Sequence, residues 1–365
     1  METNEKGLKI LVFTNDTASR KWRFDGIASR FHKETRNEMF ITSWKGWNKD
    51  TLGADIVILE MLTSLEMVNE CHNQGAKVIF EADDAYIDSY GRERKNLQHI
   101  EGAWRDEAIA TIKACDAVTT TNYYLAEHFR TFTNKPVYIL PNFVDFEWYG
   151  RDPLKVERAT DEIRIGWFGS KGHYEDLRMV VDALKEVIDR NPKTKLVYMG
   201  YGGMSSEKAS TEVGWGEDVF KEIPRSRREF YRPVEPEFWA MKHRLLSLDI
   251  GLAPLVDDFF NHCKSGIKWM EYAVTRVPSV LSPVVYGEHP EKPGLSLVEH
   301  GKTGYFASTK EQWVYYIEKL IHSEPLRKQI ADAAFLEVDT KWNLDTHWKQ
   351  WDSVYREVAG FDKTE

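Results

Sequence analysis

Short, nearly uninterrupted apolar runs recur along the first part of the chain: LKILVF (8–13), DIVILEML (55–62), KVIFEADD (77–84), DAVTTT (116–121) and KPVYILPN (135–142). Helix-like stretches separate most of them. Strands that are apolar on both faces and alternate with helices predict a parallel sheet covered on both sides. The pattern restarts at DEIRIGWF (161–168), which ends at Gly169-Ser170, and continues with LVYMG (196–200), DIGLAPL (249–255) and PSVLS (278–282). Between the first two of these, Leu177, Val180, Val181, Leu184, Val187 and Ile188 follow helical spacing, closed by Asn191-Pro192. The expected fold class is α/β: two Rossmann-like doubly wound domains, residues 1–150 and 160–335, facing across a cleft. The charged segment 146–162 (FEWYGRDPLKVERATDE), with its proline and weak periodicity, reads as the linker. In such a chain, ligands sit at the carboxyl ends of the strands.

Composition narrows the picture. A chain of 365 residues with 42% hydrophobic and 29% charged residues is an ordinary globular protein of about two domains. Its net charge of −9 argues against a dedicated nucleic-acid binder, whose affinity rests on neutralising phosphates. No apolar run approaches the ~18 residues a bilayer span requires, and the acidic opening METNEKG lacks a signal-peptide cleavage pattern. Cys71, Cys115 and Cys263 lie too far apart for a CxxC zinc site and are odd in number, which excludes a disulfide framework. A cytoplasmic protein is expected.

Candidate chemistry clusters in a few places. Gly169, Ser170, Lys171 and Gly172 form a turn ahead of a helix, where backbone can approach a phosphate; a plain strand-to-helix turn is the alternative. A helix starting near Lys264 would place Lys264, Lys268, Glu271 and Thr275 on one stripe, with Ile267, Met270, Ala273 and Val274 facing the core. Lys264 would then sit against the helix dipole, as functional residues often do. A solvated Lys268–Glu271 ion pair is the bland reading. Glu81, Asp83 and Asp84 close one strand; Glu81 and Asp83 share a side, and Asp84 suits a helix cap. Glu60 is a weaker cleft candidate, and Arg20, Lys21 and Arg23 in the loop from Thr14 are candidates for an anion. His173, just past the glycine turn, is the one histidine expected near such a site; no HExxH or comparable spacing indicates a metal. The run Arg225, Arg227, Arg228 and Arg232 is either a solvated loop or a polyanion contact. Trp167 and Trp239 are most simply packing residues.

Several of these segments resemble, in order, the retaining GT-B glycosyltransferases, the superfamily of glycogen synthase and bacterial mannosyltransferases. IRIGWFGSKGHYEDL (163–177) is similar to the start of the donor domain, and DIGLAPLVDDFFNHCKSGIKWMEYAVTRVPSVLS (249–282) to the donor-site segment. CDAVTTTNYYLAEHF and VYILPNFVDFEWY resemble first-domain motifs before the interdomain crossing. Three positions depart from the family pattern: Cys263 replaces the first acidic residue, Ser170 an arginine and Asp83 a histidine. The resemblance implies transfer of a hexose from a nucleotide-sugar donor, such as UDP-glucose or GDP-mannose, to an acceptor hydroxyl with retention, without cofactor or metal. It implies Glu271 on the ribose, Lys264 on the diphosphate and Asn261 near the donor sugar. Gly169, Ser170, Lys171, His173, Ser265 and Lys268 complete the expected donor site, with Asp83 and Lys264 as the catalytic pair and Tyr286 and Gly287 as marginal contacts. The acceptor is expected to be a glycan or small molecule, with a modified DNA base possible. A GT-B nucleotide-sugar epimerase and a catalytically degenerate binding protein are the rivals. Residues 336–365, with Trp348, Trp351 and Tyr355 on one helical face, are expected to cross back to the first domain.

Overall fold

The protein is described from a computed structural model over residues 7–47, 53–87, 103–151, 158, 161–200, 219–288 and 296–361. Two six-stranded parallel sheets form. The first comprises β1 (Lys9–Phe13), β2 (Glu38–Thr42), β3 (Ile56–Glu60), β4 (Lys77–Ala82), β5 (Ala117–Thr120) and β6 (Val137–Ile139), in the order β2-β1-β3-β4-β5-β6. The second comprises β7 (Ile163–Gly169), β8 (Thr194–Gly200), β9 (Arg228–Tyr231), β10 (Ile250–Ala253), β11 (Ser279–Leu281) and β12 (Tyr305–Phe306), ordered β12-β11-β10-β7-β8-β9. The chain reverses direction of travel across each sheet between β1 and β3 and between β7 and β10, and the crevice at such a switch point is where doubly wound folds hold ligands.

Strand β3 is buried along its whole length, as its unbroken apolar run requires. Three strands escape the sequence pattern. β2 and β12 are edge strands, and β9, another edge strand, carries Arg228 inside what reads as a basic loop. Edge strands cover only one side of a sheet and so lose the apolar signature. Two arginines of that run are structural: Arg227 donates to the carbonyls of Ile188, Asn191 and Thr194, closing the helix Tyr174–Arg190, and Arg228 is buried with Phe220 O as its acceptor, while Arg225 and Arg232 are exposed.

The expected linker is partly core. Asp145 caps the short helix Phe146–Tyr149, and Phe146 and Tyr149 are buried among residues of the second sheet's core. Beside it the chain crosses again, with Val144 N donating to Trp342 O and Leu344 N to Val144 O. After this crossing, Trp348, Trp351 and Tyr355 pack beneath the first sheet against Ile10, Phe31 and Ile58. Phe31 meets the Trp348 and Tyr355 rings edge-on at 6.1 and 6.2 Å. Among the described residues no helix is long and apolar enough to cross a membrane.

Candidate functional site

The strand ends of both sheets meet across the cleft. On the second-domain side, β7 ends at Gly169, where a Cβ would lie 2.6 Å from the Trp167 ring and 3.3 Å from His173. Only glycine lets the turn close this tightly. His173 opens the helix α1 (Tyr174–Arg190), and its Nδ1 lies 2.8 Å from Asp176 Oδ2. Asp176 is fully buried, and its other oxygen accepts from Val256 N and from Asn261 Nδ2, both at 2.8 Å. Asn261 is also fully buried, so it braces the loop after β10, while its Oδ1 has no hydrogen-bond partner. Burial pushes the His173 pKa down, opposed by Asp176, with the charges of Lys264 and Lys268 adding to the fall. The side chain of Lys171 lies outside the described residues.

The helix α2 (Ile267–Val274) begins three residues later than expected, with Gly266 at its N-cap. Lys264 consequently lies in the preceding loop and not on the stripe with Lys268 and Glu271. Its ammonium lies 4.4 Å from the Phe260 ring centre and 3.3 Å from Asp84 of the first domain. Asp84 thus faces Lys264 and the Tyr86 hydroxyl, not a helix N-terminus. Lys268 donates to Glu271 Oε2 at 3.0 Å and lies 4.1 Å from the centre of the Phe168 ring. Glu271 is 1% exposed, so the solvated-face reading fails. Burial pushes its pKa up, opposed by Lys268 and by the Tyr149 hydroxyl, which faces the same carboxyl. Both nitrogens of buried His243, stacked 3.9 Å over Phe168, have no hydrogen-bond partner. Buried polar atoms are normally satisfied, so the unpartnered His243 imidazole beside Tyr149 marks a place shaped for polar groups.

On the first-domain side, β1, β3 and β4 deliver Thr14, Glu60 and Asp83. Thr14 donates its hydroxyl to Glu60, and Ser19 donates to Asp83 Oδ2 at 3.0 Å. Burial first, and the neighbouring Asp83 second, push the Glu60 pKa to about 8. Burial, Asp84 and Asp16 push Asp83 to about 7. Two carboxyls in one desolvated corner hold a proton at neutral pH. Glu81 lies elsewhere: it is fully buried and bound to Arg23 Nε at 2.7 Å. Arg23 also donates to Leu140 O and Asn142 Oδ1, so it is a framework residue and not an anion ligand. Arg20 and Lys21 pair with Asp25. Among the described residues no group of three His, Cys, Asp or Glu is placed to hold a metal ion.

The segment Phe259–Ser265 joins the two halves. Phe260 and Cys263 leave the second domain to pack in the first domain's core with Phe80, Ala82 and Leu125. A small apolar thiol suits that position, which is fully buried and would make a carboxylate costly to desolvate. Asn122 Nδ2 donates to the carbonyls of His262 and Lys264, and Asn142 Nδ2 to Ser265 Oγ at 3.0 Å. Two cavities are lined by residues of both domains. One, about 240 Å³, lies between Asp16 and Ala18 on one side and Gly169, Ser170, Val234 and Trp239 on the other. The other, about 420 Å³, is lined by Asn122, Pro141, Lys264, Ser265, Val284, Gly287 and Trp342 among others. Gly287 reaches this second cavity, but Tyr286 packs in the core. Trp167 is core, whereas Trp239 lines the smaller cavity. Sequence reasoning missed Asp176, Tyr149 and His243; Asp176 alone had a signal, three residues after His173 in the first turn of a helix.

Solved structures of the same architecture cover nearly the whole chain. Sucrose-phosphate synthase from Thermosynechococcus elongatus superposes with a TM-score of 0.68 at 10% identity, over 97% of this chain and 100% of that one. A glycosyltransferase from Rickettsia africae gives 0.65 at 12%, over 97% and 99%. Anabaena Alr3699/HepE, in complex with UDP and glucose, gives 0.65 at 11%, over 96% and 100%. At these identities the likeness establishes the fold: two Rossmann-like domains facing across a cleft, the GT-B arrangement. No protein-family model matches the chain, nor does any curated protein sequence.

Proposed function

We propose that this protein is a retaining glycosyltransferase that moves a hexose from a nucleotide-sugar donor to an acceptor hydroxyl. The observation that carries the reading is Glu271: a buried carboxylate on α2 near the second sheet's switch point, paired with Lys268 and faced by the Tyr149 hydroxyl. Its carboxylate oxygens suit the ribose hydroxyls as donors. The backbone of Gly169, Ser170 and Lys171, with the ammonium groups of Lys264 and Lys268, suits the diphosphate, and His173 and Asn261 hold the surrounding loops in shape. Ser265 fixes the bridge at the domain boundary.

In the reaction, the acceptor oxygen bonds to the anomeric carbon as the bond from that carbon to the diphosphate oxygen breaks on the same face. The acceptor proton passes to the departing phosphate, so no protein nucleophile is needed. Lys264 acts as a catalytic residue by neutralising charge that grows on the leaving group. Asp83, held by Ser19, orients the acceptor hydroxyl from the opposite wall. The donor carries a nucleoside diphosphate such as UDP or GDP; Alr3699/HepE was solved with UDP and glucose, which makes UDP-hexoses the first to test.

Thermal-shift titration with UDP, GDP and their sugars tests the donor half of the reading, since a ligand of the native state raises Tm by mass action. Stabilisation by one nucleoside diphosphate, followed by acceptor-dependent release of it from the matching sugar, is the expected result. Conversion of the nucleotide sugar with no acceptor present would identify an epimerase instead. Donor binding without turnover on any acceptor would identify a binding protein.

A further inference from the structure

One short helix on the second domain's side of the cleft presents its faces to different domains. Asp258 accepts from Asn261 N at 2.8 Å and so caps Phe259–His262. Positions 260 and 263, three residues apart, then share a side. That side enters the first domain: Phe260 and Cys263, 2% and 0% exposed, join Phe80, Ala85 and Phe129 in its core, and the Tyr86 ring meets Phe260 edge-on at 6.2 Å. Asn261 turns the other way, to Asp176 of the second domain at 2.8 Å. The first domain secures the loop further, since Asn122 Nδ2 donates to the carbonyls of His262 and Lys264 at 3.2 and 2.7 Å. Lys264 follows directly, with its ammonium 4.4 Å from the centre of the Phe260 ring and 3.3 Å from Asp84. Both groups that orient this ammonium are thus fixed to the first domain.

We propose that Phe260 is a positioning residue for the transfer reaction: seated in the first domain's core, it fixes the donor-side loop and holds the Lys264 ammonium over its ring, where the leaving group arrives. The inference rests on the glycosyltransferase reading and adds a residue that touches neither donor nor acceptor. An aromatic face attracts a cation most strongly where water is scarce, and the Lys264 side chain is 17% exposed. An incoming diphosphate displaces Asp84 from the ammonium. It does not displace the ring, because withdrawal of Phe260 would open a cavity in the first domain's core. The ring therefore restrains the lysine before and after the ligand arrives, and a lysine restrained in advance loses less freedom on meeting phosphate. The same seat ties the cation to the wall that carries Asp83, so the groups that meet donor and acceptor keep their spacing.

The test is a double-mutant cycle on the full chain, read by calorimetric titration with UDP and with GDP. Phe260→Leu keeps an apolar plug and removes the ring face; alone, it should weaken the nucleotide that the wild type binds about threefold to tenfold. Lys264→Ala removes the ammonium. In that background Phe260→Leu should change nucleotide affinity by less than about twofold, because the ring acts through the lysine. Thermal unfolding shows whether Phe260→Leu folds; if it does not, Phe260→Met, whose flexible side chain adapts to the same space, takes its place in the cycle. Wild-type affinity in the Phe260 variant, or an equal loss with and without Lys264, overturns the inference, since a residue that only supports the fold acts alike in both backgrounds. Those results leave the glycosyltransferase reading standing. A wild type that binds neither nucleotide overturns both.

Discussion

Lys264 and Asp84, 180 residues apart in sequence, meet across the interdomain cleft with their charged groups 3.3 Å apart. The lysine belongs to the bridge that the second domain sends into the first, and the aspartate to the end of β4. Among the described residues the one carboxylate paired with Lys264 comes from the opposite wall, so an arriving diphosphate competes with Asp84 for the same ammonium.

That competition gives opposite expectations for the two partners. Lys264→Ala should weaken nucleoside diphosphate binding by ~1.5–3 kcal/mol, about tenfold to a hundredfold, and lower turnover as well. Asp84→Asn should tighten the same ligand by ~0.5–1 kcal/mol, the size of a partly exposed ion pair. Calorimetric titration of both variants checks the signs; equal weakening in both would mean that the pair serves only to hold the domains together.

Glu271 and Lys268 separate by a different ligand series. Glu271→Gln should weaken UDP yet leave inorganic pyrophosphate affinity unchanged, because pyrophosphate has no ribose. Lys268→Met leaves a buried carboxylate without its partner, so it should lower unfolding free energy by about 3 kcal/mol or more in urea titration. A Lys268→Met protein of wild-type stability would contradict the buried pairing.

The Glu60–Asp83 corner makes stability fall with rising pH. Both carboxyls are raised in the folded state, to about 8 and about 7, above their ordinary values near 4, so between those limits the native state binds more protons than the unfolded chain. The stabilisation is fully present below about pH 4 and is lost progressively as pH rises through about 8. Urea unfolding midpoints should therefore decline from pH 5 to pH 8, and Glu60→Gln should flatten the decline. An unchanged slope in Glu60→Gln would show that another group is responsible.

Arg23→Met should destabilise the protein by ~3–5 kcal/mol, since it strands Glu81, itself 0% exposed, in the first domain's interior. The double variant Arg23→Met with Glu81→Met should recover most of that loss. UDP affinity in the double variant should match wild type, because neither residue reaches the cleft ligands.

Chelation should leave transfer intact. Phosphate charge has Lys264, Lys268 and backbone amides to meet it, and the described residues hold no metal-ligating trio. Complete loss of turnover in EDTA, restored by Mn²⁺, would instead recruit Asp83 and Asp84 as ligands.

Much of the architecture is legible in the one-dimensional pattern. The apolar runs at 56–59 and 78–80 indicate central parallel strands, and the spacing from Leu177 to Ile188 a helix buried on one side. The Gly169 turn and the i,i+3 placement of Lys268 and Glu271 follow from local geometry alone. Periodicity records which face of an element is covered, because burial acts on every residue of that face. It does not record which body does the covering. Phe260 and Cys263 read as part of the second domain and lie in the core of the first; the supposed linker residue Tyr149 faces Glu271; Arg23 finds Glu81 58 residues away. Each of these depends on an approach between segments whose sequences carry no trace of each other. A charge in sequence has a sign but no partner, and only the packed chain, by excluding water from one lysine, one glutamate or one pair of acids, decides which charges hold the fold and which remain for a ligand.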